Sequence, residues 1–189
     1  MQPIPPSVTE AIARAEAVAF AYSSEPEAGR LLAALSAAVP AGGRILELGT
    51  GTGVGTAWIR HGLGERTDVE VVTVEFDPAT AAVAAEAGWP AWVTLHIGDA
   101  EELLPGLGTF DLIFADAPAG KWTGLDLTIA ALAPRGVLLV DDMDLGRYTE
   151  PEQVASVETV RRTLLTDSRL VAAELPTGSG FIIACRSER

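Results

Sequence analysis

The hydrophobic residues of this 189-residue chain follow two alternating patterns. In the first, they cluster in short, mostly apolar runs, such as residues 45–48, 69–74 and 110–115, which are typical of buried strands. In the second, they recur every three or four residues, which predicts helices with one apolar side. Strands that alternate with helices indicate a parallel sheet covered by helices on both faces.

Two helices are predicted ahead of the first strand, each opening at a capping-box pattern, residues 7–10 and 24–27. A third such pattern, residues 149–152, opens a late helix. The last two strands are joined by a short turn, so we expect them to be antiparallel. No repeat or linker interrupts the chain. We predict one domain over residues 1–189, with N-terminal helices in 1–40 and a ligand-binding core in 41–189.

Charge and composition narrow the class of partner. The chain has 13 basic and 26 acidic residues, a net charge of −13, which disfavours nucleic acid. The single cysteine allows no internal disulfide and fits a reducing cytoplasm. The chain shows no signal-peptide pattern and no apolar run of membrane-spanning length. We therefore expect a cytoplasmic protein that acts on a small molecule.

A glycine-rich turn links the first strand to the next helix. Glu47 is followed at alternating positions by Gly49, Gly51 and Gly53. Such a turn brings the backbone and the N–H groups of the following helix close to a ligand. The dinucleotide fingerprint needs a glycine at its sixth position, where this chain has Val54 or Thr56, depending on the starting glycine.

Acidic residues stand in or just after nearly every predicted strand, at the edge where ligands of open α/β sheets bind. They are Glu47, Glu75, Asp99, Asp116, Asp141 and Asp142. So many carboxylates favour a cationic ligand with several hydrogen-bond donors. Glu75, at the end of the second strand, is placed to accept both hydroxyls of a ribose. A nicotinamide dinucleotide would use that position in the same way, so Glu75 does not by itself identify the ligand.

The glycine motif resembles the first motif of the class I S-adenosylmethionine-dependent methyltransferases. Residues 75–78, Glu-Phe-Asp-Pro, and 98–100, Gly-Asp-Ala, resemble the second and third motifs. Residues 110–117 resemble the fourth, and 132–140 resemble the region of the fifth strand. Within this class, the chain is most similar to the small-molecule O-methyltransferases of the catechol and caffeoyl-coenzyme A type.

The resemblance implies a Rossmann-like three-layer α/β/α fold. Its seven-stranded, mostly parallel sheet would have the order 3-2-1-4-5-7-6, with the last strand antiparallel. It also implies methyl transfer from S-adenosylmethionine to a hydroxyl of a small, phenolic molecule. The implied cofactor-binding residues are Glu47, Gly49, Thr50, Gly51, Gly53, Glu75, Phe76, Asp99, Ala100 and Asp116.

Besides S-adenosylmethionine, the resemblance suggests a bound divalent cation. The branch holds one with an acid after the fourth strand and an Asp-Asn pair after the fifth, which correspond here to Asp116, Asp141 and Asp142. Such oxygen ligands suit Mg²⁺. The chain departs from the pattern twice. Asp142 replaces the asparagine, and the lysine expected three residues after the acid lies five residues after Asp116, at Lys121. Alternatively, Asp116 hydrogen-bonds the cofactor and the Asp pair caps a loop, so the metal stays open.

The predicted catalytic residues are Lys121 and Asp116. A phenol has a pKa near 10, and either a metal or Lys121 would assist the loss of its proton. Trp122, Met143 and Tyr148 are candidates for the acceptor pocket. Two rival functions stay open, a cofactor-binding protein without catalysis and an NAD-dependent oxidoreductase. The apolar faces of the N-terminal helices would also allow a homodimer.

Overall fold

The computed structural model describes residues 3–187, in which seven strands form one sheet and seven α-helices surround it. The helices are Pro6–Ala17 (α1), Pro26–Ala38 (α2), Val54–Leu63 (α3), Pro78–Ala85 (α4), Ala100–Leu107 (α5), Leu125–Ala130 (α6) and Pro151–Thr166 (α7). The strands are Arg44–Leu48 (β1), Glu70–Glu75 (β2), Val93–Ile97 (β3), Phe110–Ala115 (β4), Leu132–Val140 (β5), Leu170–Leu175 (β6) and Phe181–Arg186 (β7). A single 3-10 turn, Leu145–Arg147, precedes α7.

The strand order is β3-β2-β1-β4-β5-β7-β6, which confirms the predicted topology. The first five strands pair in parallel, and β7 runs antiparallel to both β5 and β6. A parallel sheet must be covered on both faces, because each strand buries both sets of side chains. The structure is therefore the expected Rossmann-like α/β/α arrangement.

Two apolar cores lie on opposite faces of the sheet. Alternate residues of β1 divide between them, since successive side chains of a strand point to opposite faces. Leu46 and Leu48 pack with residues of α5, α6 and α7, whereas Ile45 packs with residues of α1, α2 and α3. These two cores fix the helices on either side and leave the carboxyl edge of the sheet free for the intervening loops.

The register of the central strands brings four strand ends together. Leu48 lies beside Val74 on one side and beside Ala115 on the other, and Ala115 lies beside Val140. The loops that follow these residues therefore start at one edge of the sheet. This is why acids distant in the sequence meet at one site.

The three predicted capping boxes are wrong. α1, α2 and α7 start at Pro6, Pro26 and Pro151, and none of them has a side-chain cap. Proline at the first helical position has its φ preset and lacks an N–H that would need a cap. The N-cap residues are consequently Pro5, Glu25 and Glu150, and the hydroxyl of Ser24 is released for another partner.

The predicted bounds of the sixth helix and fifth strand also need correction. The residue pattern predicts a helix over about 123–133 and a strand over 137–140, whereas the helix is only Leu125–Ala130 and β5 begins at Leu132. The strand continues through Pro134 because a register irregularity in its pairing with β4 accommodates Arg135, whose φ is +65°. Within residues 3–187, no helix is long and apolar enough to cross a membrane.

Candidate active site

The glycine turn after β1 lies against the ends of both neighbouring strands. Gly49, Gly51 and Gly53 have φ values of +97°, +55° and +90°, which L side chains rarely adopt. A Cβ on Gly49 would lie 2.7 Å from the carbonyl oxygen of Asp116. The N–H groups of Gly49 and Thr50 donate to the carbonyl of Val74 at 2.9 and 3.1 Å. The turn therefore needs glycine to pack between β2 and β4.

Glu47 lies beneath this turn rather than in the cleft. Its side chain is fully buried, and its Oε2 accepts hydrogen bonds from the hydroxyls of Thr56 at 2.5 Å and Thr73 at 2.6 Å. Burial raises the pKa of Glu47 to about 7, although the two hydroxyls act to lower it. Thr50 is buried as well, with its hydroxyl 2.6 Å from that of Thr73. In this structure the side chains of Glu47 and Thr50 support the glycine turn, and their role in cofactor binding stays a prediction.

Glu75 occupies the rim of the cleft, as the sequence predicts. Its Oε2 accepts the N–H of Gly51 at 2.8 Å and its Oε1 accepts the N–H of Asp77 at 3.0 Å. Each oxygen keeps a lone pair for a ligand hydroxyl. Phe76 beside it is 72% exposed at the cleft, which excludes a core role and leaves its ring free to cover a base. Asp99 caps α5 through the N–H of Glu101 and also lines the cleft.

The cleft has a volume of about 910 Å³, enough for a cofactor and a small acceptor. Of the ten predicted cofactor residues, seven line it and three, Glu47, Thr50 and Gly53, do not. Those that line it are Gly49, Gly51, Glu75, Phe76, Asp99, Ala100 and Asp116.

The acids after β4 and β5 surround a buried lysine. Lys121 is 1% exposed, and its Nζ lies 2.7 Å from Oδ2 of Asp142 and 3.9 Å from Oδ1 of Asp116. Burial raises the pKa of Asp116 well above its ordinary value, while the nearby ammonium of Lys121 opposes that rise. Burial likewise raises the pKa of Asp141 to about 6. The predicted catalytic pair, Lys121 and Asp116, is therefore brought together at the cleft.

The predicted metal site is not formed. Within residues 3–187, no group of three or more His, Cys, Asp or Glu side chains has an arrangement that could hold a metal ion. The physical reason is the pairing of the three acids: Asp142 binds Lys121, Asp141 accepts the hydroxyl of Ser179, and Asp116 accepts that of Ser24. The residues present do not fit the divalent cation that the resemblance suggested.

Residues between α1 and α2 contribute a wall of the cleft that the sequence did not indicate. Ser24 donates from its hydroxyl to Oδ2 of Asp116 at 3.1 Å, across 92 residues of sequence. Glu25 accepts two hydrogen bonds from the guanidinium of Arg147, at 2.7 and 3.0 Å. A serine beside a glutamate-proline pair indicates only a helix start, so no local signal could have revealed these partners.

Two of the three predicted acceptor-pocket residues line the cleft. Trp122 and Tyr148 meet edge to face, with ring centroids 6.4 Å apart. Burial raises the pKa of Tyr148 to about 12, and the neighbouring carboxylate of Asp142 adds to the rise. Met143 is instead 7% exposed and belongs to an apolar core, so its predicted role in the pocket is wrong.

Comparison with known proteins identifies the family. A family model described as a methyltransferase domain matches residues 46–143. A protein of Mycolicibacterium vanbaalenii, named as a candidate O-methyltransferase, is 32% identical over 93% of this chain and 83% of its own length. A similarly named protein of Mycobacterium tuberculosis is 33% identical over 85% of this chain and 76% of its own length.

Solved structures agree with the sequence relatives. The O-methyltransferase TomG of Streptomyces achromogenes, which is involved in tomaymycin synthesis and was crystallised with S-adenosylmethionine, superposes with a TM-score of 0.82 at 26% identity. That comparison covers 98% of this chain and 91% of TomG. An O-methyltransferase of Bacillus cereus in complex with S-adenosylhomocysteine gives a TM-score of 0.84 at 25% identity, covering 99% and 93% of the two chains.

Proposed function

This chain is an S-adenosylmethionine-dependent O-methyltransferase of the methyltransferase domain family, and we propose that its acceptor is a small molecule with a phenolic hydroxyl. The observation that carries the proposal is the buried ammonium of Lys121 beside Asp116, in a cleft walled by aromatic rings. An ammonium at this point favours the anionic form of an oxygen nucleophile. Trp122 and Tyr148 offer ring faces and edges to an aromatic acceptor.

The cofactor half of the cleft fits S-adenosylmethionine in its donor and acceptor groups. Glu75 offers two carboxylate oxygens to the ribose hydroxyls, and the exposed ring of Phe76 offers a surface to the adenine. The acidic lining also favours a ligand that carries a sulfonium and an ammonium.

When bound, S-adenosylmethionine supplies a methyl group on a positively charged sulfur, and the electrons of the broken C–S bond leave on that sulfur as a neutral thioether. Lys121 is placed to orient the acceptor oxygen and to stabilise its developing negative charge. Asp116 is placed to accept the hydroxyl proton, because burial makes it a stronger base than an exposed carboxylate. Most of the rate enhancement would come from positioning, since the methyl group is already activated.

Methyl transfer from labelled S-adenosylmethionine to a panel of phenols, aliphatic alcohols and amines tests the proposal. We expect label on the oxygen of phenols and little on the other acceptors. Cofactor binding would be measured in parallel by calorimetry. Binding without transfer to any acceptor would favour a cofactor-binding protein without catalysis. Transfer confined to amines would contradict the assignment of an oxygen acceptor.

A further inference from the structure

We propose that the ammonium of Lys121 takes the place of a divalent cation in the acceptor site, so that methyl transfer needs no metal and the acceptor needs only one hydroxyl. The inference rests on the proposed function and deepens it by narrowing the substrate class. It depends on how Lys121 is held, on which carboxylate oxygens are already engaged, and on the balance of charge around them.

Lys121 is held by three groups of different kinds. Its Nζ is 2.7 Å from Oδ2 of Asp142, 3.9 Å from Oδ1 of Asp116 and 4.5 Å from the centroid of the Trp122 ring. A lysine that is 1% exposed requires such partners, because an unpaired buried ammonium is strongly unfavourable. Two carboxylates and a ring face together provide the environment that a buried cation needs.

The backbone around Lys121 keeps its side chain from reaching solvent. The carbonyl of Pro118 accepts the N–H groups of Lys121 at 3.2 Å and Trp122 at 2.8 Å. Gly120 has φ of +86°, and its carbonyl accepts the hydroxyl of the buried Thr128 at 2.7 Å. The ammonium therefore occupies a position set by a tight turn rather than by a mobile surface loop.

One carboxylate oxygen of Asp141 and one of Asp116 are already engaged by other donors. Oδ1 of Asp141 accepts the hydroxyl of Ser179 and the N–H of Asp142, and Oδ2 of Asp116 accepts the hydroxyl of Ser24. A divalent cation binds carboxylate oxygens at about 2.0–2.6 Å. A divalent cation that approached Asp142 would meet the ammonium of Lys121. The two positive charges would repel each other strongly in a buried site.

The two departures of this chain from the related branch compensate each other. The branch has a neutral asparagine where this chain has Asp142, and Asp142 is the closest partner of Lys121. Its backbone has φ of +65°, an uncommon conformation that turns the carboxylate away from a regular strand end. The additional negative charge of Asp142 is thus paired with the ammonium of Lys121, which lies within hydrogen-bonding distance.

This arrangement changes which acceptors are suitable. A metal chelates two adjacent oxygens, whereas an ammonium can donate one hydrogen bond to a single oxygen. In the reaction, the acceptor O–H gives its proton to Asp116, its oxygen forms the new C–O bond, and the C–S bond breaks with its electron pair on sulfur. Isolated phenolic hydroxyls should therefore be methylated as readily as vicinal ones.

Binding of Mn²⁺, followed by the loss of its free electron paramagnetic resonance signal, tests the inference without depending on turnover. We expect no binding by the wild-type protein or by the exposed control Asp126→Asn, and a gain of one site in Lys121→Met, which leaves three carboxylates without their cation. One bound Mn²⁺ in the wild type would overturn the inference. Absence of binding in both proteins would also overturn it, because the ammonium would then not occupy a cation site.

Rates of methyl transfer provide a second test of the inference. We expect wild-type rates to be the same with EDTA and with Mg²⁺, and a monophenol to be used as well as a catechol. Lys121→Met should reduce the rate roughly 10²-fold, and Lys121→Arg should restore part of it. Loss of wild-type turnover in EDTA would contradict the inference. If no acceptor is methylated by protein that binds the cofactor, the proposed function fails while the Mn²⁺ titration still decides the metal question.

Discussion

Glu47 shows how one buried carboxylate is tied to the fold. Its Oε2 accepts two threonine hydroxyls, whereas Oε1 has no hydrogen-bond partner among residues 3–187. A Cβ on Gly55 would lie 2.1 Å from this second oxygen, so the helix after the glycine turn packs directly on it. Burial raises the pKa of Glu47 from 4.5 to about 7, so the stability of the fold around the turn depends on pH.

The sign of that coupling follows from the raised pKa. Below pH 4.5 the carboxyl is protonated in both states, and its contribution to stability is fully present. As the pH rises to about 7, the unfolded state loses the proton first, so the free energy of unfolding falls by up to about 3 kcal/mol. Glu47→Gln should make the decline shallower in urea denaturation measured across this range. An unchanged slope would contradict the role given to Glu47.

Glu75 provides a direct test of the cofactor site. Replacement by glutamine removes the charge and leaves one acceptor oxygen where the carboxylate has two. We expect Glu75→Gln to weaken S-adenosylmethionine binding roughly 10–100-fold in calorimetry. The exposed Glu86→Gln, at the C-terminal end of α4, is the matched control. Equal affinities for both variants would exclude ribose binding by Glu75.

The turn between β4 and α6 positions Lys121 through a single glycine. A Cβ on Gly120 would lie 2.5 Å from Cδ1 of Leu48 and 3.0 Å from Oγ1 of Thr128, and its φ of +86° is unfavourable for alanine. We expect Gly120→Ala to destabilise the fold by roughly 1–3 kcal/mol. Displacement of Lys121 should also reduce kcat by about 10²-fold.

Gly106 in α5 supplies the control for that substitution. It has ordinary helical surroundings, and a Cβ there would meet nothing within 4 Å. Gly106→Ala should leave kcat unchanged and stabilise the helix by up to about 1 kcal/mol. Thermal unfolding and initial rates of the two variants would be compared. Similar behaviour of both would show that the turn does not position the lysine.

At the level of elements, the sequence predicted most of what the sheet edge contains. Short, mostly apolar runs located β1, β2 and β4, and the acids at their ends could be placed at one edge because parallel strands share their carboxyl ends. Helix starts were less predictable. Proline at the first helical position has no N–H that needs a cap, so these helices begin without a capping serine. The hydroxyl of Ser24 therefore bonds to Asp116, a partner that only the folded chain brings near.

Across the molecule, an ion pair between Glu25 and Arg147 joins the N-terminal segment to the turn before α7. The side chains are 36% and 41% exposed, so the pair should contribute under about 1 kcal/mol to stability. We expect Arg147→Met to leave the melting temperature nearly unchanged but to increase hydrogen exchange in residues 18–25 and raise KM for the acceptor. Both residues line the cleft, which is why the effect should fall on binding.

The pair between Arg169 and Asp167 is the control for that prediction. It joins residues only two apart, so it links no separate segments. Arg169→Met should therefore leave both exchange in residues 18–25 and KM unaffected. If the two variants gave the same exchange pattern, the N-terminal segment would not depend on Arg147.

A crystal structure with S-adenosylhomocysteine and a phenol would test whether methyl transfer takes place between the glycine turn and Lys121. We expect the ribose hydroxyls to bind Glu75 and the thioether sulfur to face the acceptor oxygen beside Lys121. A sulfur directed away from Lys121, or an acceptor bound at another edge of the sheet, would contradict it.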